Sequence, residues 1–142
     1  MKMSDIKAQP ISWLRKSIDS DPSFCVEAGT PVTKAADELL KTPHNIIAVV
    51  KDEVVQAIAT RTDITKSVVS LAKNKLEPNT PIIDVANVKN LIKITKDDTV
   101  GKLLTTILDN KFENLLVVDE DGKFFGIANR LKLASELEEL TS

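Results

Sequence analysis

One cysteine, one histidine, one tryptophan and no tyrosine leave this chain few of the side chains on which site chemistry usually depends. Cys25, alone, can neither close an internal disulfide nor build a cysteine-based zinc site. His44 is the only imidazole, and no Ser-His-Asp or Cys-His constellation stands in a plausible context. The four glycines are scattered, so no Walker-type or dinucleotide-type phosphate loop is present. The carboxylates fall on helix surfaces and turns. Catalysis is therefore not expected, and neither is a metal. No apolar run approaches the roughly 18 residues of a membrane span. The start, MKMSDIKAQP, lacks the apolar core of a signal peptide. The net charge of -2, with both signs mixed, gives no nucleic-acid footprint and no polybasic membrane patch. What remains is an ordinary globular composition, 42% hydrophobic and 28% charged over 142 residues, read as a cytoplasmic protein. That length suits one compact domain, or two small halves sharing a core.

The chain repeats itself once. TPVTKAADELL, from Thr30, and TVGKLLTTILDN, from Thr99, each open on a capping residue and then place apolar side chains at helical spacing. These are Val32, Ala35, Ala36 and Leu39 in one copy, and Val100, Leu103, Leu104 and Ile107 in the other. Pro31 is expected at the first helical position, where its missing N–H costs nothing. An apolar run follows each helix (NIIAVV, NLLVVD), then a charged turn, a second apolar run and another capped helix. Val32 to Val100 and Val50 to Val118 are both shifts of 68, and Ile58 to Ile127 is 69, because the second turn is one residue longer. Upstream, Phe24-Cys25-Val26 matches Ile92-Lys93-Ile94, and both read as strands. Each half is thus strand, helix, strand, strand, helix, with a hairpin in the middle. Halves of about 60 residues bury little alone, so the expectation is an α/β (α+β) module of two pseudo-symmetric β-α-β-β-α repeats packed sheet to sheet. The first repeat with its N-terminal extension spans 1–78 and the second 79–142.

The repeats differ in their polar residues. AIATRTDI (57–64) ends its strand on Thr60, Arg61, Thr62 and Asp63, whereas GIANRLKL (126–133) has Asn129 and Lys132 in place of Thr60 and Asp63. The residues alone leave two readings of Thr60 and Asp63 open: a helix cap that also suits the macrodipole, or a ligand site. Several others carry plainer expectations. His44, at a loop end, is read as a surface residue, although it could reach a phosphate. Cys25 is read as a core filler opposite Lys93, Trp13 as a cover for the core or a dimer seam, and the SELEEL tail as a helix with solvated acids.

The order of elements, with AIATRTDI closing the first hairpin and NLLVVDEDGKFFGI in the second, resembles the CBS-domain pair, the tandem module named after cystathionine β-synthase. The resemblance covers roughly Pro10 to Leu140. Thr80-Pro81-Ile82-Ile83-Asp84-Val85-Ala86 also matches that family's lead-in segment, and Gln9-Pro10-Ile11 stands in the same place before the first repeat. What the resemblance implies is a stand-alone regulatory module that binds an adenosine-containing ligand (AMP, ADP, ATP or S-adenosylmethionine) between the two halves. It would require no cofactor and would signal to a separate, unidentified protein effector. The implied site is Thr60, Arg61, Asp63, Thr80, Pro81 and Ile82, with Ile46 beside them. The carboxylate would hold the ribose diol and the helix N-terminus would face phosphate. A second, degenerate site would comprise Gln9, Ile11, Asn129, Arg130 and Lys132. An ammonium at Lys132 has no lone pair to offer a diol, so one working and one lapsed or repurposed site is expected. Family members commonly form disc-like dimers through their helices, and the apolar residues Leu39, Leu40, Leu103, Leu104, Ile107 and Leu108 exceed what one sheet face needs. A homodimer is therefore expected. The competing expectation is a ligand-free dimerisation scaffold.

Overall fold

The computed structural model describes residues 1–86 and 94–142. In chain order the first elements are α1 (Met3–Lys7), β1 (Ile18–Asp19), β2 (Cys25–Glu27), α2 (Val32–Leu40), β3 (Ile46–Lys51), β4 (Val54–Thr60) and α3 (Arg61–Ala72). They are followed by β5 (Ile94–Thr95), α4 (Val100–Asn110), β6 (Asn114–Val118), β7 (Phe124–Asn129) and α5 (Arg130–Thr141). The result is the expected mixed α/β chain, with two sheets and the strand-helix-strand-strand-helix order present twice. Among the described residues no helix is long and apolar enough to cross a membrane.

Two compact units form. The middle unit starts at Asp21 and includes the described residues up to Ala86; the terminal unit joins Met1–Ser20 to the described residues from Ile94 to Ser142. This division in space differs from the division of the repeats at 78/79, because each lead-in segment is built into the repeat it does not precede. The reason is local and the same in both units. The backbone N–H of Val32 donates to the Thr80 carbonyl (2.8 Å), and that of Val100 donates to the Gln9 carbonyl (2.8 Å), so each lead-in satisfies an orphan donor at a helix start. Ile82 and Ile11, both 0% exposed, then enter the respective cores.

In the middle unit the sheet order is β2-β3-β4, with β2 parallel and β4 antiparallel to β3. Helix α2 buries Val32, Ala35 and Leu39 on the side facing Val26, Ile47, Val49, Ala57 and Ala59. Each valine, leucine or isoleucine among them contributes about 1.5–3 kcal/mol when fully buried, each alanine less. Pro31 stands one place earlier than the sequence pattern suggests. It is the N-cap residue, because its backbone bridges to Pro81 before the helix begins. The two-residue turn between β3 and β4 puts Asp52 and Glu53 at φ 52° and 69°, the mirror-type geometry that suits hairpin twist.

In the terminal unit the order is β1-β7-β6-β5. Val100, Leu103 and Ile107 of α4 pack with Ile6, Ile11, Ile94, Leu115, Val117 and Leu133, and Trp13 covers this core from the side. The short helix α1, for which the sequence pattern gave no signal, contributes Ile6 at 0% exposure. The β6–β7 register shifts at Val117/Val118, as β3–β4 does at Val49/Val50, so even the irregularity repeats. Phe24 belongs to a 3-10 turn, with Asp21 as its cap, and the strand starts at Cys25. Of the segment aligned with it, Ile94 begins β5, while Ile92 and Lys93 lie outside the described residues.

Candidate functional site

The β3–β4 hairpin delivers Thr60 to the start of α3, with Ile46 paired directly across from it. Thr60 is the N-cap, and with Asp63 it forms a complete capping box. The Thr60 hydroxyl accepts from the Asp63 N–H (3.2 Å); Oδ2 of Asp63 accepts from the Thr60 N–H (2.8 Å) and hydroxyl (3.0 Å). Oδ1 of Asp63 makes no hydrogen bond among the described residues. The capping reading of this junction is therefore correct, and it leaves one carboxylate oxygen over.

Asp63 also lines a cavity of about 260 Å³ with Lys66, Ser67, Ser70, Lys75, Leu76 and Val85. The cavity wall is one face of α3, residues three, four and seven beyond Asp63, closed by the chain that follows the helix. It offers one carboxylate, two ammonium groups and two hydroxyls against two apolar side chains. Two donors of positive charge, a diol-sized acceptor and an apolar flank suit a small polar ligand that carries an anionic group. Asp63 was an expected site residue; Lys66, Ser67 and Ser70 were not, and their helical spacing from Asp63 is the signal that places them on the same wall.

The other expected site residues distribute differently. Arg61 turns to the opposite side of α3, where its guanidinium donates to the Asn45 side chain. There it borders a separate cavity of about 390 Å³ with Ala36, Leu39, Leu40, Ile64 and Val68 among its walls. Thr80 and Pro81 sit half-buried at the start of α2, and Ile82 is a core residue. The structure thus brings Thr60, Asp63 and Ile46 together and puts Arg61 elsewhere. Ala57 is 0% exposed within the core, away from the cavity wall. His44 is not a surface residue: it is 2% exposed, its ring edge-on to Phe24 with centroids 5.2 Å apart. Phe24 closes the 3-10 turn whose core-facing ring shelters the imidazole, which sequence position alone does not reveal.

In the terminal unit, Asn129 caps α5 by accepting from the Lys132 N–H (3.0 Å), and its amide donates to Asn114 (2.9 Å). Lys132 approaches Asp19 at 4.0 Å, Arg130 is exposed, and Ile11 is buried in the core. The position three residues after the cap, held by the Asp63 carboxylate in the middle unit, is held here by Lys132. Glu136 departs from the expectation for its segment. It belongs to the tail taken as solvated acids, yet it is 5% exposed. Its Oε1 accepts from the Lys16 and Ser17 N–H groups (3.0 Å each) and from the Ser17 hydroxyl (2.6 Å), while Oε2 accepts from the Arg15 N–H (2.7 Å). Burial alone would raise its pKa, but these four donors outweigh that and hold it below the usual glutamate value. Cys25 is half-buried, and burial with nearby Glu27 pushes its thiol up to about 11. Among the described residues, no three His, Cys, Asp or Glu side chains gather as a metal site would require.

Comparison with known proteins bears on both units. The CBS domain family matches residues 16–70 and again 82–139. An uncharacterized protein of Methanocaldococcus jannaschii is 26% identical over 116 residues; the match takes in 81% of this chain and only 27% of that relative's length. Among solved structures, a CBS domain-containing protein of unknown function from Bacillus anthracis str. Ames Ancestor superposes with a TM-score of 0.78 at 18% identity, over 97% of this chain and 99% of that one. CBSX2, solved in complex with AMP, gives 0.73 at 17% identity over 94% and 99%. A CBS domain pair solved with 5′-methylthioadenosine and S-adenosyl-L-methionine gives 0.69 at 21% over 94% and 98%. With the element order laid down twice and a family match on each copy, the chain belongs to the CBS domain family.

Proposed function

We propose that this protein is a regulatory module that binds one adenosine-containing ligand at the Asp63 cavity and transmits the occupancy to a separate protein. The observation that carries the reading is the cavity wall itself: a carboxylate with one uncommitted oxygen, beside Lys66, Lys75, Ser67 and Ser70. Oδ1 of Asp63 serves the ribose hydroxyls, and the lysines serve a phosphate or a carboxylate. At about 260 Å³ the space falls just below the roughly 300 Å³ at which small-molecule sites usually begin. Support also comes from the similar folds solved with AMP and with S-adenosyl-L-methionine. The Lys132 side of the terminal unit has no counterpart to the Asp63 carboxylate, so a single site is proposed, without catalysis.

A homodimer is part of the same reading. Leu40 and Leu108, equivalent in the two repeats, are 84% and 75% exposed, and Val68, Val69 and Leu131 are exposed as well. Scattered singly these would need no explanation, but Leu40 and Leu108 hold the same place on the equivalent helices α2 and α4, and an exposed leucine repeated in this way fits self-association. A Leu40→Glu, Leu108→Glu protein is expected to elute as a monomer where the parent elutes as a dimer. The same exposed leucines favour the scaffold reading if no ligand binds.

The deciding experiment is thermal unfolding with AMP, ADP, ATP and S-adenosylmethionine, beside Asp63→Asn. A ligand at 100 times its Kd stabilises by about 2.7 kcal/mol, a shift on the order of 5–10 °C here. A shift with one ligand that Asp63→Asn loses identifies the signal. No shift with any of the four leaves the dimerisation scaffold as the function.

A further inference from the structure

The two units handle one equivalent place in opposite ways. Asp63, Ser67 and Ser70 on α3 correspond, 69 residues on, to Lys132, Glu136 and Glu139 on α5. On α3 those positions line an open cavity. On α5 all three reach the segment 15–19: Glu136 gathers the N–H groups of Arg15, Lys16 and Ser17, Glu139 pairs with Lys16 at 2.6 Å, and Lys132 lies 4.0 Å from Asp19. The segment is fixed at its far end too, since the Ser17 carbonyl accepts from Asn129 N–H and β1 pairs with β7 (Ile18 with Ala128).

We infer that Glu136 is a built-in anionic latch that closes the terminal unit's version of the site over its own chain, and that Ser67 is the residue that leaves the middle unit's version open. A glutamate reaches three successive amides as a bound anion would; a serine at the same helix position, 4% exposed and donating to the Asp63 carbonyl at 2.9 Å, cannot. The contrast between the two halves then rests on this position as well as on the exchange of Asp63 for Lys132. The statement about Glu136 is independent of ligand identity; the one about Ser67 rests on the function proposed for the Asp63 cavity.

Two measurements separate them. The first is amide hydrogen exchange at Arg15, Lys16 and Ser17 in the parent, Glu136→Gln and Glu136→Ala, with the β6–β7 amides as a control for folding. Loss of a buried charged acceptor is expected to speed exchange at the three amides by at least about tenfold in both variants, leaving the control unchanged. Added formate is expected to slow it again in Glu136→Ala. Unchanged exchange at these amides in Glu136→Gln, which keeps the side chain's shape, overturns the latch. The second is AMP titration of Ser67→Glu, expected to weaken binding at least about tenfold; binding equal to the parent overturns the role of Ser67. If the parent itself ignores AMP and the other three ligands, the proposed function fails, while the exchange result still decides the latch.

Discussion

Replacing Asp63 tests the cap and the ligand site separately, provided the cost without ligand is known first. In the free protein Asp63 Oδ2 accepts two bonds, from the Thr60 N–H at 2.8 Å and hydroxyl at 3.0 Å, at a half-buried helix start. A hydrogen bond to a charged group nets about 1.5–3 kcal/mol. Partial exposure places this one at the low end, and the carboxylate in the first turn adds about 0.3–1 kcal/mol through the helix dipole. Asp63→Ala should therefore cost about 2 kcal/mol with no ligand present. Asp63→Asn keeps an acceptor oxygen and loses only the charge, and should cost less than about 1 kcal/mol. The equivalent change in the other repeat removes almost nothing. Lys132 is a half-exposed partner of Asp19 at 4.0 Å, and Lys132→Ala should stay within about 0.5 kcal/mol of the parent. Urea unfolding at neutral pH, followed by circular dichroism, measures all three. An Asp63→Ala protein within about 0.5 kcal/mol of the parent would refute the capping box, and with it the premise that one carboxylate oxygen is committed while the other is free.

Glu136 has its pKa held below the ordinary 4.5, so its contribution to stability is complete above that value and is lost as pH falls through the lowered one. Asp98, lowered chiefly by the Thr95 N–H, works in the same direction. Acid titration of stability should thus show a shallower loss in Glu136→Gln than in the parent, and parallel curves would contradict this. At Gly126 an added Cβ would sit 2.9 Å from the Asp19 carbonyl and against Ile18. Gly126→Ala should consequently cost about 1–3 kcal/mol by displacing β1. A cost below about 0.5 kcal/mol in urea unfolding would mean that β1 does not lie there. The Cys25 thiol, with its pKa near 11, should react with a disulfide reagent at pH 8 many times more slowly in the native protein than in urea; equal rates would show that the strand start is open.

Much of the molecule was legible in the residues. Apolar spacing in TPVTKAADELL and TVGKLLTTILDN specifies α2 and α4, because a helix can bury only one stripe and that stripe must repeat near every 3.6 residues. The extra residue in the second turn is visible as a change of shift from 68 to 69, and the Thr60–Asp63 cap follows from side chains three positions apart. Those interactions are local, so the sequence carries them. Contacts across distant segments were left to the tertiary structure. Nothing in ISWLRKSI or SELEEL announces that Glu136 meets the amides of residues 15–17, about 120 positions away. His44 and Arg61 were likewise decided by what lies across from them: Phe24 and Asn45. The lead-in segments show the same limit. Thr80 and Gln9 are recognisable as equivalents in sequence, but only folding gives each to the helix start whose N–H it accepts, because a carbonyl's partner is set by where the chain returns.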